Sequence, residues 1–212
     1  VDAHDPRVRH GAAQERGVNK FLAFPNSPPV HLTKNGKAFA SDAKPNLAPD
    51  RHNAYADFLA DVIQGVERTQ GISFGYISPV NEPQWDWDGG QEGSPWLNSE
   101  LSAVVREIST TLSGAGLSTK IEIAESGKLN YLYEDADRPG RGSQAEAFFS
   151  PASPHYLGDL PNLARAVAAH SYFTTHDTET LLDVRSRVRE RLRTLDPALE
   201  FRMSEYCVLE DN

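Results

Sequence analysis

The sequence predicts an α/β fold in which a parallel sheet of about five strands is joined by crossover helices. Short β-like runs alternate with helical stretches along the chain, the pattern of successive βα units. The helical stretches carry apolar residues at three- and four-residue steps, so each buries one face. No internal repeat or low-complexity tract interrupts this order.

A helix around Arg7 to Arg16 precedes the first β-like run, Lys20 to Phe24, "KFLAF". A loop rich in Pro, Asn and Lys follows, from Pro25 to Pro49. The next helix runs from about His52 to Arg68, with Asp50 placed to cap it. Its apolar residues Tyr55, Phe58, Leu59, Val62, Ile63 and Val66 share one face, and Gly71 supplies a stop. The second strand spans roughly Ser73 to Ser78. A helix over Ser99 to Leu112 turns Leu101, Val104, Val105, Ile108 and Leu112 inward, and Gly114 and Gly116 lie where it must end. Then come the strand "KIEIAES" near 120–126, a long polar loop, and the strand "AVAAHSY" near 166–172. A helix from Thr178 to Leu195 leads into the last strand, "FRMSEY", near 201–206.

Composition excludes several classes. A net charge of −9 over 212 residues argues against a nucleic-acid or anionic-membrane partner, because phosphates reward Lys and Arg. The arginines of "RSRVRERLR" do not overturn this. Leu181, Leu182, Val184, Val188 and Leu192 form an apolar stripe, and the arginines fill the solvated face beside Asp183 and Glu190. A single cysteine, Cys207, excludes an internal disulfide framework and a Cys-based zinc site. It reads as a small buried apolar residue. No apolar run approaches the ~20 residues that span a bilayer, so no membrane insertion is expected. "GGQEGS" lacks the Lys-Ser/Thr ending of a phosphate loop, which weakens a nucleotide-binding reading. The start "VDAHDPRVRH" has neither methionine nor signal peptide, and "SEYCVLEDN" stops just after a strand. Both ends therefore read as cuts in a longer protein.

The strand ends carry the chemistry. Glu82 ends the second strand, Glu125 the third, His170 with Tyr172 the fourth, and Glu205 the fifth. A doubly wound sheet and part of a (β/α)8 barrel both fit the elements, and in a barrel all these ends share one rim. Two glutamates on separate strands of one rim suit cleavage of a glycosidic bond. One hands a proton to the leaving oxygen, and the other, ionised, attacks the sugar carbon or activates water. Trp85, Trp87 and Trp96, in the polar stretch "QWDWDGGQEGSPW", would offer flat faces for sugar rings.

Asn81-Glu82-Pro83 after one strand and Ser204-Glu205-Tyr206 after a later one resemble the motifs of retaining (β/α)8 glycosidases. Together with "FPNSPPVHLTKNG", "YISPVNEPQWDW", "HSYF" and "RMSEYCVL" in this order, they resemble glycoside hydrolase family 30. The endo-β-1,6-galactanase-like members are the most similar. The resemblance implies a partial (β/α)8 TIM barrel whose strands are barrel strands three to seven. Residues 1–212 would then form an incomplete catalytic domain within a longer chain that carries a β-sandwich domain. It also implies Glu82 as acid/base and Glu205 as nucleophile. Asn81 would bond the sugar 2-hydroxyl, His170 and Tyr172 would line the site near the nucleophile, and Glu125 would be a further pocket carboxylate. Asn26 is assigned to substrate binding. The expected substrate is a polysaccharide or oligosaccharide, with no cofactor and no metal, and the expected location of the full protein is extracellular. Xylanase, β-1,6-glucanase and glucosylceramidase-like activities are alternatives within the family, and a non-catalytic carbohydrate-binding fragment is one outside it. A metal hydrolase is disfavoured because the histidines show no HExxH or other tight spacing.

Overall fold

The structure, a computed structural model, describes residues 6–207, with side chains from Gly11 onward. Its strands are β1 Leu22–Ala23, β2 Tyr76–Ile77, β3 Lys120–Ser126, β4 Leu163–His170 and β5 Glu200–Glu205. They form one five-stranded sheet in the order β1-β2-β3-β4-β5, with every neighbouring pair parallel. That order decides between the two architectures. A doubly wound sheet reverses its strand order at a switch point, and the described strands have no reversal. The sheet is a half-barrel, with α1 Pro6–Glu15, α2 His52–Gln70, α3 Asn98–Gly114, α4 Gln144–Phe149 and α5 Thr178–Leu195 between and beside its strands.

The helices form where their apolar stripes find the sheet. Leu101, Val104, Val105, Ile108 and Leu112 of α3 are all fully buried, as are Tyr55 and Ala56 of α2. Val62 falls at the stripe's margin and is 39% exposed. On α5, Val184, Val188 and Leu192 are buried, but Leu182 is 61% exposed. Arg187 pairs with Asp183 at 2.9 Å, and Arg191 reaches Glu146 at 3.4 Å, whereas Glu190 has no arginine partner among the described residues. α2 ends as expected, with Gly71 at φ 65° donating its N–H to Glu67 O at 2.9 Å. Its start differs. Pro49–Arg51 form a 3-10 turn that runs into the helix, so Asp50 lies inside that turn and caps nothing. The helix that Asp177 begins does have a side-chain cap, since Asp177 accepts from Thr180 N at 2.8 Å.

The inner face of the half-barrel carries a polar layer. Arg202 of β5 donates to buried Glu122 of β3 and to the Tyr76 hydroxyl of β2 at 3.2 Å, and lies 4.3 Å from the Tyr76 ring centroid. One guanidinium thus ties three strands together below the rim. The sheet's edges are thinly covered. Phe24 beside β1 is 53% exposed and Tyr206 beyond β5 is 60% exposed. No helix among the described residues is long and apolar enough to cross a membrane.

Candidate active site

Backbone irregularities at the strand tips build the site. Along β3 and β4, Ala124 faces Ala168 but Ser126 faces Ala169, so Glu125 is an extra residue in β3. Along β4 and β5, Ala169 faces Met203 but His170 faces Glu205, so Ser204 is extra in β5. Such bulges re-aim side chains. Strict alternation would send Ser204 and Glu205 to opposite faces, yet here both reach toward the barrel interior. The segment after β2 is fixed by Glu82 N donating to Glu125 O at 2.9 Å, which sets the two glutamate backbones side by side. Both take left-handed φ, 41° at Glu82 and 51° at Glu125, and so do Trp87 (52°) and Phe173 (57°) nearby. A side chain held there costs about 1–3 kcal/mol, and here three such residues line one cleft with Glu125 beneath it.

His170 sits at the centre, fully buried. Its Nδ1 is 2.8 Å from Glu82 Oε1 and 3.6 Å from Glu205 Oε2, and its Nε2 is 3.2 Å from Glu125 Oε2. Burial alone would lower the ring's pKa, but hydrogen bonds to Glu125 and Glu82, with the charges of Glu82 and Glu205, hold it up at about 9. Two carboxylate oxygens that share one nitrogen neighbour cannot be further apart than those two distances laid end to end. The Tyr172 hydroxyl donates to Glu205 Oε2 at 2.6 Å, and that bond, followed by burial, raises the tyrosine pKa.

A cleft of about 600 Å³ opens above this centre, lined by Asn26, Asn81, Glu82, Tyr172 and Glu205. A second lobe of about 620 Å³ continues past Glu82 along Trp85, Trp87, Lys128, Arg138 and Phe173. Glu82, Trp85, Trp87 and Phe173 border both lobes. Trp87 is held by its indole N–H donating to Glu82 O at 3.0 Å. Both rings lie against bare backbone: a Cβ on Gly127 would come 2.5 Å from Trp85 Nε1, and one on Gly93 would come 2.1 Å from the Trp87 ring. Asp86, between them, accepts from Arg141 at 2.7 Å and Arg138 at 3.2 Å. Burial opposes its charge, but the two arginines hold its carboxyl below the usual range.

The structure therefore gathers Asn26, Asn81, Glu82, Trp85, Trp87, His170, Tyr172 and Glu205 around one cleft. Three expectations need correction. Glu125 lies beneath the cleft: it is 3% exposed and turned to His170, Ser78 and Ser204. Trp96 is 2% exposed and packs in the core beside His52, so it offers no face to a sugar. Cys207 is an exposed free thiol lining the cleft, not a buried apolar residue. Ser78, Lys128, Arg138 and Phe173 belong to the site without having been singled out in the sequence. Two of them had a signal, Ser78 within "YISPVNEPQWDW" and Phe173 as the last residue of "HSYF". Among the described residues, no group of His, Cys, Asp and Glu is arranged to hold a metal ion.

A parallel half-barrel with paired carboxylates on its rim is the frame of a sugar hydrolase, and the chain's kinship agrees. Residues 9–212 match the sequence profile of O-glycosyl hydrolase family 30, and the chain belongs to that family. It is similar to an endo-beta-1,6-galactanase of Hypocrea rufa, 32% identical over 122 residues, which are 56% of this chain and 25% of that protein. Among solved structures it is similar to a conserved exported protein from Bacteroides fragilis, with a TM-score of 0.89 and 35% identity over 95% of this chain and 42% of that one. An endo-beta1,6-glucanase shares the fold, with a TM-score of 0.61 and 20% identity over 93% of this chain and 40% of that one. The chain thus spans less than half the length of these relatives.

Proposed function

We propose that the protein is a retaining, endo-acting glycosidase that cleaves β-1,6-linked galactan, with Glu82 as acid/base and Glu205 as nucleophile. The observation that carries this reading is the His170 nitrogen shared by both carboxylates. It draws the two carboxyls into one hydrogen-bonded cluster, the closeness that a nucleophile and an acid/base acting on one anomeric centre need. Glu205, ionised and oriented by Tyr172, attacks the anomeric carbon as Glu82 protonates the departing oxygen. Water, deprotonated by Glu82, then releases the sugar from Glu205.

The two lobes fit this assignment. The lobe holding both carboxylates, Asn26 and Asn81 suits the sugar that becomes covalently bound, with the Asn81 amide on its 2-hydroxyl. The lobe past Glu82, away from Glu205, suits the leaving group, with Trp85 and Trp87 as walls. Space on both sides of Glu82 fits cleavage within a chain. The linkage rests on the galactanase relative. Time-resolved proton NMR of β-1,6-galacto-oligosaccharide hydrolysis tests the reading. The first product formed should be the β anomer, and an α anomer would overturn retention.

A further inference from the structure

The mechanism above leaves one buried carboxylate unused. Glu125 is 3% exposed, and a buried charge is costly unless well paired. Its Oε1 accepts from Ser78 Oγ at 2.5 Å, its Oε2 accepts from Ser204 Oγ, and His170 Nε2 lies 3.2 Å from Oε2. With Ser78 and Ser204 donating to it, this carboxylate turns Oε2 to His170 as a hydrogen-bond acceptor. It therefore keeps a proton on His170 Nε2, which leaves Nδ1 as the only ring nitrogen free to gain or lose one. Around that ring stand Glu82 after β2, Glu125 on β3, Glu205 on β5 and, after β4, Tyr172, whose ring is edge-on at 5.5 Å. The Tyr172 hydroxyl is engaged by Glu205, so Nδ1 faces Glu82 first, at 2.8 Å.

We propose that Glu125, His170 and Glu82 form a proton-sharing triad, in which His170 Nδ1 holds the acid proton jointly with Glu82 and Glu125 fixes the ring tautomer. The inference rests on the glycosidase reading and assigns Glu125 a positioning role within it. In the first step a Glu205 oxygen bonds to the anomeric carbon, the glycosidic C–O bond breaks, and the departing oxygen takes the proton from Glu82. An ionised Glu82 then faces a bare Nδ1, and two opposed lone pairs make the pair a strong proton acceptor. In the second step water oxygen bonds to the anomeric carbon and the bond to Glu205 breaks. The water's proton passes to Glu82, where Nδ1 shares it again, so the proton count is restored. The elevated His170 pKa, about 9, keeps that proton on the pair through neutral pH.

Glu125→Gln tests the triad, since it keeps the side-chain shape, removes the charge and leaves one oxygen to accept. Losing a negative neighbour lowers the pair's proton affinity, so the alkaline limb of the kcat profile should move acidward by about one pH unit or more. KM should hardly change, and kcat should fall further on galactan than on an aryl β-galactoside with a good leaving group. An unmoved limb, or equal losses on both substrates, overturns the triad. Nitrogen-15 NMR of the wild-type histidines gives a reading that needs no variant and no activity. The His170 ring should titrate near 9 and carry its proton on Nε2 when neutral. Titration near the ordinary ~6.5, or a neutral ring protonated on Nδ1, overturns the triad while leaving the glycosidase reading intact. The expected NMR result in a protein that turns over no β-galactoside would instead overturn the galactan reading and leave the triad intact.

Discussion

Arg202→Met removes the cation that pairs with Glu122 beneath the rim. Methionine keeps much of the stem's volume, so the change removes the charge and its hydrogen bonds without opening a large cavity. Removing one partner of a buried pair costs about 3–5 kcal/mol. The Glu122 side chain is 4% exposed but that of Arg202 is 29% exposed, so solvent already screens part of the interaction. The loss expected near neutral pH is therefore about 2–4 kcal/mol. Burial pushes the Glu122 carboxyl up, and Arg202 is the group that opposes this. In the variant the folded-state pKa rises further above its unfolded value of about 4.3. A carboxyl raised on folding binds more protons folded than unfolded, so stability falls as pH climbs between those two values and then levels off. Urea unfolding followed by tryptophan fluorescence should thus show a small deficit near pH ~4 and the full deficit near pH ~7. Adding Glu122→Gln should recover most of the loss at the higher pH. A deficit equal at both pH values, or one the second substitution leaves unchanged, would refute the idea that an uncompensated Glu122 charge is responsible.

Further outcomes follow from the cleft. Gly127→Ala places a Cβ 2.5 Å from Trp85 Nε1 and must displace that ring, at a cost of about 1–3 kcal/mol. KM for galacto-oligosaccharides should rise about tenfold while kcat on a short aryl galactoside holds, and an unchanged KM would deny Trp85 a place in the wall. Cys207 is exposed beside Glu205, and its backbone is pinned by Ser171 and Thr175. A maleimide should therefore inactivate the enzyme, oligosaccharide should protect it, and Cys207→Ser should remove the sensitivity. Full activity after complete alkylation would place the thiol outside the substrate's path.

The helices were legible because burial and periodicity coincide. The α3 stripe is one unbroken set of apolar residues, and all of it is buried. The succession of strand ends was legible for the same reason, since the helices space the strands and the strands deliver their last residues to one rim. What period-two reasoning could not show is the extra residue at Glu125 and at Ser204. Each bulge turns a side chain that alternation assigns elsewhere, which is why the Glu125–His170–Glu82 arrangement emerges only in three dimensions. The six-residue helix Gln144–Phe149 is too short to show a stripe and sat unseen in a polar loop. Trp96 could not be told from Trp85 and Trp87 because all three share one loop-like stretch, and only packing against His52 separates it. Asp50 carries the right chemistry for a cap, but Pro49 starts a turn one residue earlier and carries it past the position where it would cap.

The division of labour between Glu82 and Glu205 is tested most directly by Glu82→Ala with azide. General-acid assistance contributes about 10²–10⁴-fold, so the variant should nearly lose galactan cleavage. It should still form the glycosyl-enzyme from an aryl β-galactoside whose leaving group needs no proton. That intermediate should accumulate, because no base remains to activate water, and azide should restore turnover by attacking without one. If Glu205 attacks first, two displacements at the anomeric carbon give a β-galactosyl azide, which is the product expected. An α-galactosyl azide would mean a single direct displacement and would contradict Glu205 as the nucleophile.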